Sequence, residues 1–137
     1  MSKPLNCVML IDDNEDDNYF HHIVLEKAAI ANEIMMVKSG FEALDILAKK
    51  GISPELIFLD INMPKMNGWE FLEAYLRINE GRKQKAVMII LTTSLNPADK
   101  AMAENMDVIN EFRTKPLTKK MIEEIFETHF NGSGNNS

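Results

Sequence analysis

Short apolar runs alternate with longer helical patterns five times along this chain, and that alternation leaves few folds open. The runs are residues 7–11 (CVMLI), 34–37 (IMMV), 56–60 (LIFLD), 86–92 (AVMIILT) and 108–112 (VINEF). Most are nearly solid in apolar side chains, as expected of strands buried on both faces. The fifth shows only a partial alternation. After the first run, Phe20, Ile23, Val24 and Ala28 recur at helical spacing through residues 16–30; Trp69, Leu72, Tyr75 and Leu76 do so after the third. Asn14 is a candidate N-cap, Ser39 with Glu42 forms a capping box, and Asn96 before Pro97 caps another helix. Gly51 ends the second helix, with Pro54 leading into the third run. In the last helix Met121, Ile122, Ile125, Phe126 and His129 share a face. Five strand-then-helix units with right-handed crossovers predict an α/β domain: a doubly wound, five-stranded parallel sheet with helices on both faces.

Composition narrows the class. A chain of 137 residues suits one domain with a real core. No run approaches the 18 or so apolar residues of a membrane span, and the start is too short and too acidic in its flank for a signal peptide. The single cysteine, Cys7, has no partner for an internal disulfide and reads as a small core residue, so the expected compartment is the cytoplasm. Net charge is -6, and the densest cations, residues 80–85 (EGRKQK), read as a loop; no basic face predicts direct nucleic-acid binding. Ten methionines read first as core filler and second as an adaptable partner surface. Residues 131–137 (NGSGNNS) read as a flexible tail after a domain spanning 5–130.

In doubly wound sheets ligands bind beyond the carboxyl ends of the strands. Those ends carry Asp12 and Asp13, then Asp60, Thr92 and Lys115, with Lys38 and Ser39 of the second run unassigned. Three carboxylates at one edge repel, and a hard divalent cation removes the conflict: magnesium takes about six oxygens, usually from carboxylates, water and phosphate. A lysine and a threonine hydroxyl beside them suit phosphoryl transfer, where positioning and charge neutralisation do most of the catalysis.

The motifs LIDDN, LDINMPKMNG, LTT and KPLT, each in order after its strand, resemble the receiver domain of bacterial two-component response regulators in its stand-alone, chemotaxis-type form. The resemblance implies a flavodoxin-like (βα)5 fold and a set of roles. Asp60 would accept a phosphoryl group from a sensor histidine kinase or histidine phosphotransfer protein. Asp13 would bind magnesium directly, Asp12 largely through water, Asp60 itself and the backbone carbonyl of Asn62 would complete the protein ligands, and manganese could substitute. Thr92 and Lys115 would hold the phosphoryl group, Phe112 would be the aromatic switch, Asn62 and Ser94 would tune the phosphoryl lifetime, and Pro116 would follow a cis peptide bond. Signalling would run through the fourth helix, fifth strand and fifth helix to a downstream protein, or onward by phosphorelay. The implied enzymology is limited to self-phosphorylation and slow loss of the group. Phe112 lacks the hydroxyl of a tyrosine switch, and NMDVINEF lacks the Gly-Ala pair common before the fifth strand.

Other readings fit less well. A calcium loop starting at Asp12 needs Gly and Glu where Asp17 and Ile23 stand. Glu15, Asp16 and Asp17 read as first-turn helix acids, favoured there by the helix dipole. His21, His22 and His129 read as surface or groove histidines, Trp69 as helix packing, and Thr93 as a spacer. A haloacid-dehalogenase-type phosphatase or phosphotransferase would also use an Asp nucleophile, but it needs a second Asp where Asn62 stands. A degenerate receiver serving as a fixed scaffold is disfavoured because the site residues are all present.

Overall fold

The computed structural model describes residues 4–49, 53–63, 65–78, 86–93 and 96–131 of the chain. Five strands alternate with five helices: β1 (Leu5–Ile11), α1 (Glu15–Ala28), β2 (Ala31–Val37), α2 (Gly40–Lys49), β3 (Leu56–Leu59), α3 (Gly68–Ile78), β4 (Val87–Thr92), α4 (Pro97–Glu104), β5 (Glu111–Thr114) and α5 (Lys119–Phe126). A π-helical turn, Glu127–Asn131, closes the described chain. All pairings are parallel, in the order β2-β1-β3-β4-β5. The predicted doubly wound fold is therefore borne out, and its topology reverses between β1 and β3, the place where such sheets bind ligands.

Strand alternation explains the solid apolar runs. Val8, Leu10, Phe58, Ile89 and Leu91 face α1 and α5, where Leu25, Ile122 and Ile125 cover them. Met9, Ile11, Ile57, Leu59, Met88 and Ile90 face the other layer, with Ala43, Leu47, Phe71, Leu72 and Tyr75. Both faces of each central strand are dry, so successive residues must all be apolar. Cys7 is buried as expected, and burial, with Glu33 and Glu55 nearby, pushes its thiol up to about 11, which leaves it unreactive. Met9, Met63 and Met88 lie in the core and Met35, Met66 and Met106 pack against it, which favours the filler reading; Met36 and Met102 are exposed. Trp69 packs half-buried against the same core.

Several boundaries differ from expectation for local reasons. Asn14 caps α1, its side chain accepting from the Asp17 N–H, so the helix starts one residue early at Glu15. It ends at Ala28 because Ala29 turns left-handed (φ 55°) and its N–H closes onto the Leu25 and Glu26 carbonyls. β2 begins at Ala31 rather than 34, since its register with β1 starts at Leu5↔Ala31 while Asn32 and Glu33 face solvent from the sheet edge. β5 is the largest correction: it was expected at 108–112 and lies at Glu111–Thr114. Val108 and Ile109 pack on the core from a turn instead, and the Asn110 side chain accepts from Met88 N–H before the ladder starts. Where a regular α5 was expected to carry His129 onto its apolar face, the helix widens after Phe126, and His129 Nε2 lies 2.6 Å from Glu111 Oε2 on β5. Half of the expected capping box forms, Ser39 Oγ accepting from Glu42 N–H, while the Glu42 carboxylate reaches one residue further back and accepts from Lys38 N–H. The expectations for Gly51, the 80–85 loop, Ser94 and residues 132–137 lie outside the described residues.

Candidate functional site

Backbone bonds between strand ends assemble the site. Asp12 N–H donates to Val37 O, Asp60 N–H to Ile11 O, and Lys115 N–H to Thr92 O. One residue beyond the last apolar position of β1 and of β3, the chain therefore presents Asp12 and Asp60 on neighbouring strands at the reversal point. Each is held by the same device: Asn14 N–H donates to Asp12 Oδ1 and Asn62 N–H to Asp60 Oδ1, both at 3.0 Å. Such Asx turns fix a carboxylate two residues before the donating amide. Asp12 and Asp60 are buried, Asp13 is exposed, and carboxylate oxygens of the three lie within 4.8 Å of one another.

Lys115 reaches into this cluster from the end of β5. Its Nζ lies 2.6 Å from Asp12 Oδ2, 2.8 Å from Asp17 Oδ2 and 3.4 Å from Asp60 Oδ2. Its peptide bond to Pro116 is cis, as the resemblance implied. One ammonium thus faces several acids. Burial pushes the Asp12 carboxyl up to about 6 and Asp60 adds to it, although Lys115 and the Asn14 N–H pull the other way. Burial alone would lower the Lys115 pKa, but hydrogen bonds to Asp12 and Asp17 and the charges of Asp12 and Asp60 raise it above its ordinary value. The two shifts are compatible: the ammonium is secure, while the carboxylate group as a whole carries more negative charge than one lysine offsets.

The remaining predicted residues divide. Thr92 is fully buried, and its Oγ1 accepts from Asn62 Nδ2 at 3.0 Å, so the ends of β3 and β4 are joined by side chains. Thr93 is exposed. Phe112 is half-buried, packs against the α2–α3 core and borders a groove of about 170 Å³ with Lys100, Ala103 and Glu104 of α4.

Two site residues escaped the sequence reading. Asp17 is indeed in the first turn of α1, but its carboxylate also binds Lys115. A signal existed, because helical side chains lean toward the N-terminus and a first-turn acid on α1 leans over the strand ends. His21, expected at the surface or in a groove, is buried behind Asp12 and Asp60. Burial lowers its pKa, Lys115 lowers it further, and Asp17 opposes them. His22 stays near the surface beside Glu26, and the unassigned Lys38 pairs with Glu15.

Chemically, the cluster offers oxygen donors only, two of them buried and short of positive charge. That donor set fits a small, hard divalent cation and not a thiol- or imidazole-bound metal.

Residues 8–127 match the model of the response regulator receiver domain. The chain belongs to that family. Among relatives of this receiver, response regulator Rcp1 from Synechocystis is 32% identical over 124 residues, covering 87% of this chain and 82% of that protein. A two-component response regulator structure from Cytophaga hutchinsonii superposes with a TM-score of 0.83 at 31% identity, covering 92% of this chain and 97% of that one. The Vibrio cholerae chemotaxis protein CheY4, 22% identical with a TM-score of 0.74 and covering 90% and 98%, shows the fold alone. Accepting a phosphoryl group is the general function of receivers, and they work with histidine kinases or phosphotransfer proteins. Membership sets aside the dehalogenase-type alternative.

Proposed function

We propose that this receiver takes a phosphoryl group from a phosphohistidine onto Asp60 and signals through contacts that depend on that modification, or passes the group on by relay. The observation that carries this reading is the convergence of Asp12, Asp13 and Asp60 with Lys115 at the topological reversal. A carboxylate oxygen of Asp60 attacks phosphorus, the phosphorus–nitrogen bond of the donor breaks, and the imidazole leaves with the electron pair and takes up a proton. Asn62 N–H, on Asp60 Oδ1, orients the nucleophile. Lys115, already 3.4 Å from Asp60 Oδ2, pairs with the incoming phosphoryl oxygens. Thr92 donates its hydroxyl hydrogen to them. Asp12, Asp13, Asp60 and the Asn62 carbonyl would hold magnesium, or manganese in its place, which neutralises charge on the phosphoryl oxygens.

As the resemblance implies, Asn62 and Ser94 tune how long the acyl phosphate lasts before water hydrolyses it. The enzymology is confined to these two self-directed steps. Phe112 links the modified site to the α4–β5–α5 face, where the groove beside α4 gives its ring room to move, and that face meets the downstream protein. The receiver unit runs from 5 to 130, in the cytoplasm and without direct nucleic-acid binding. No described helix is long and apolar enough to cross a membrane. Incubation with magnesium and acetyl phosphate, read by intact-mass spectrometry, is expected to add one base-labile phosphoryl group, absent in Asp60→Asn. Modification of another residue, or none, overturns the reading.

A further inference from the structure

Beside the carboxylates lies a small, partly open space that the proposed chemistry does not use. It measures about 10 Å³, with Asp12, Asn18, His21 and Asp60 as its polar lining and Phe58 and Leu91 among its apolar walls. That is room for one water molecule, which needs two to four polar partners to be stable.

Asn18 supplies the independent observation. It is 3% exposed, and its Nδ2 donates to two backbone carbonyls, Asp12 O at 2.8 Å and Val37 O at 3.2 Å. Those acceptors fix the amide orientation, since a flipped amide would set oxygen against both. Its Oδ1 is buried without a hydrogen-bond partner among the described residues. An orphan acceptor of this kind is rarely tolerated. His21, 2% exposed, lies one helical turn on and lines the same space; its ring meets Phe20 edge-on.

We propose that this chamber holds one structural water, which accepts from the His21 ring and donates to Asn18 Oδ1 and to the Asp12–Asp60 pair, making His21 and Asn18 positioning residues for the phospho-acceptor. The role attributed to the pair rests on the function proposed above; the water itself does not. The valences close: a water offers two hydrogens, one for the amide oxygen and one for a carboxylate oxygen, and a lone pair for one imidazole N–H. Asp12 and Asp60 oxygens already accept from Asn14, Asn62 and Lys115 on their outer side, and each carboxylate retains acceptor capacity for a donor from below. The consequence is that α1, through Asn18 and His21, helps to hold the nucleophile from the side bounded by Phe58 and Leu91.

A high-resolution crystal structure of the unsubstituted chain is expected to show one ordered water within hydrogen-bonding distance of Asn18 Oδ1 and the His21 ring. A dry chamber overturns the proposal. Rates of phosphorylation by acetyl phosphate at saturating magnesium give the second arm. His21→Leu is expected to slow the reaction by about tenfold, the scale at which groups orienting a site's ligands act. His21→Gln, which can still bond the water, is expected to recover most of that loss. Equal rates in His21→Leu and the unsubstituted chain, or equal slowing in both variants, would mean that packing and not hydrogen bonding is at issue, and would sink the positioning role. If the unsubstituted chain accepts no phosphoryl group, the proposed function fails, while the crystallographic arm, which needs no variant to fold, still decides the water.

Discussion

At Asp12, burial and the neighbouring ammonium pull the carboxyl in opposite directions, and burial prevails: its pKa stands at about 6 against an ordinary 3.8. The folded state therefore binds this proton more tightly than the unfolded chain does. Between those two values the native protein carries the excess proton, so the Asp12 contribution to metal-free stability rises as pH falls through about 6, and levels off below the unfolded pKa. The buried His21, with its lowered pKa, acts in the opposite direction over part of this range, so the contribution is read as a difference: urea unfolding midpoints in EDTA at pH 7, 6 and 5 are expected to shift in favour of the unsubstituted chain over Asp12→Asn in that order. A slope unchanged by the substitution would place its origin elsewhere. Asp12, Asp13, Asp60 and Thr92 were legible in the sequence because each ends or closely follows an apolar run, whereas Lys115, three residues past the fifth run as read, was legible through the KPLT stretch. Asp17 and His21 were not, because their importance depends on how α1 rolls against the sheet. A helix bearing Glu15, Asp16, Asp17, His21 and His22 offers several polar faces, and only packing selects the one turned inward.

Among the connections between elements, the entry to α3 is the least forgiving. A Cβ on Gly68 would sit 2.6 Å from the Ile61 Cα, a clash with backbone that no side-chain rotation relieves. Gly68 N–H also donates to Ile61 O, tying α3 to the loop that carries Asn62. Gly68→Ala is expected to cost about 1–3 kcal/mol in denaturant unfolding, the usual scale of overpacking. It should also slow phosphorylation of Asp60, because the loop must shift to relieve the clash; a variant of native stability and rate would contradict this contact. By contrast, a Cβ on Gly40 would press mainly on the flexible side chain of Met66, 2.6 Å from its Sδ, with Phe71 Cβ at an ordinary 3.4 Å. Element order was legible from periodicity, and α1 and α4 were placed well by their Asn caps. β5 was misplaced because Val108 and Ile109 are apolar whether they extend as strand or pack from a turn, and only the Asn110 bonds to Met88 reveal the choice. The π-helical turn left no local trace in composition; the His129–Glu111 contact that accompanies it joins residues 18 apart.

For the molecule as a whole, charge is concentrated where the strands end. Of a net charge of -6, Asp12, Asp13, Asp17 and Asp60 gather around a single Lys115. A cation that binds only the folded arrangement stabilises it by mass action, about 2.7 kcal/mol at roughly a hundredfold excess over its dissociation constant. Thermal unfolding is expected to shift upward with added magnesium, and the shift is expected to shrink in Asp13→Asn, which removes an exposed ligand without opening the core. An equal gain in both proteins would show that magnesium acts away from the cluster. The overall architecture was the most legible level of all. A parallel sheet covered on both sides demands continuous apolar strands, and continuous apolar strands separated by amphipathic helices admit little else.

The bond from Asn62 Nδ2 to Thr92 Oγ1 has a bearing on how such a protein can be retuned. One side chain both borders the phospho-acceptor and secures the resting pose of the threonine across the gap. Under the proposed function, replacing Asn62 to lengthen or shorten a signal would therefore also unfasten Thr92, so that duration and responsiveness could not be adjusted by independent single substitutions at that position.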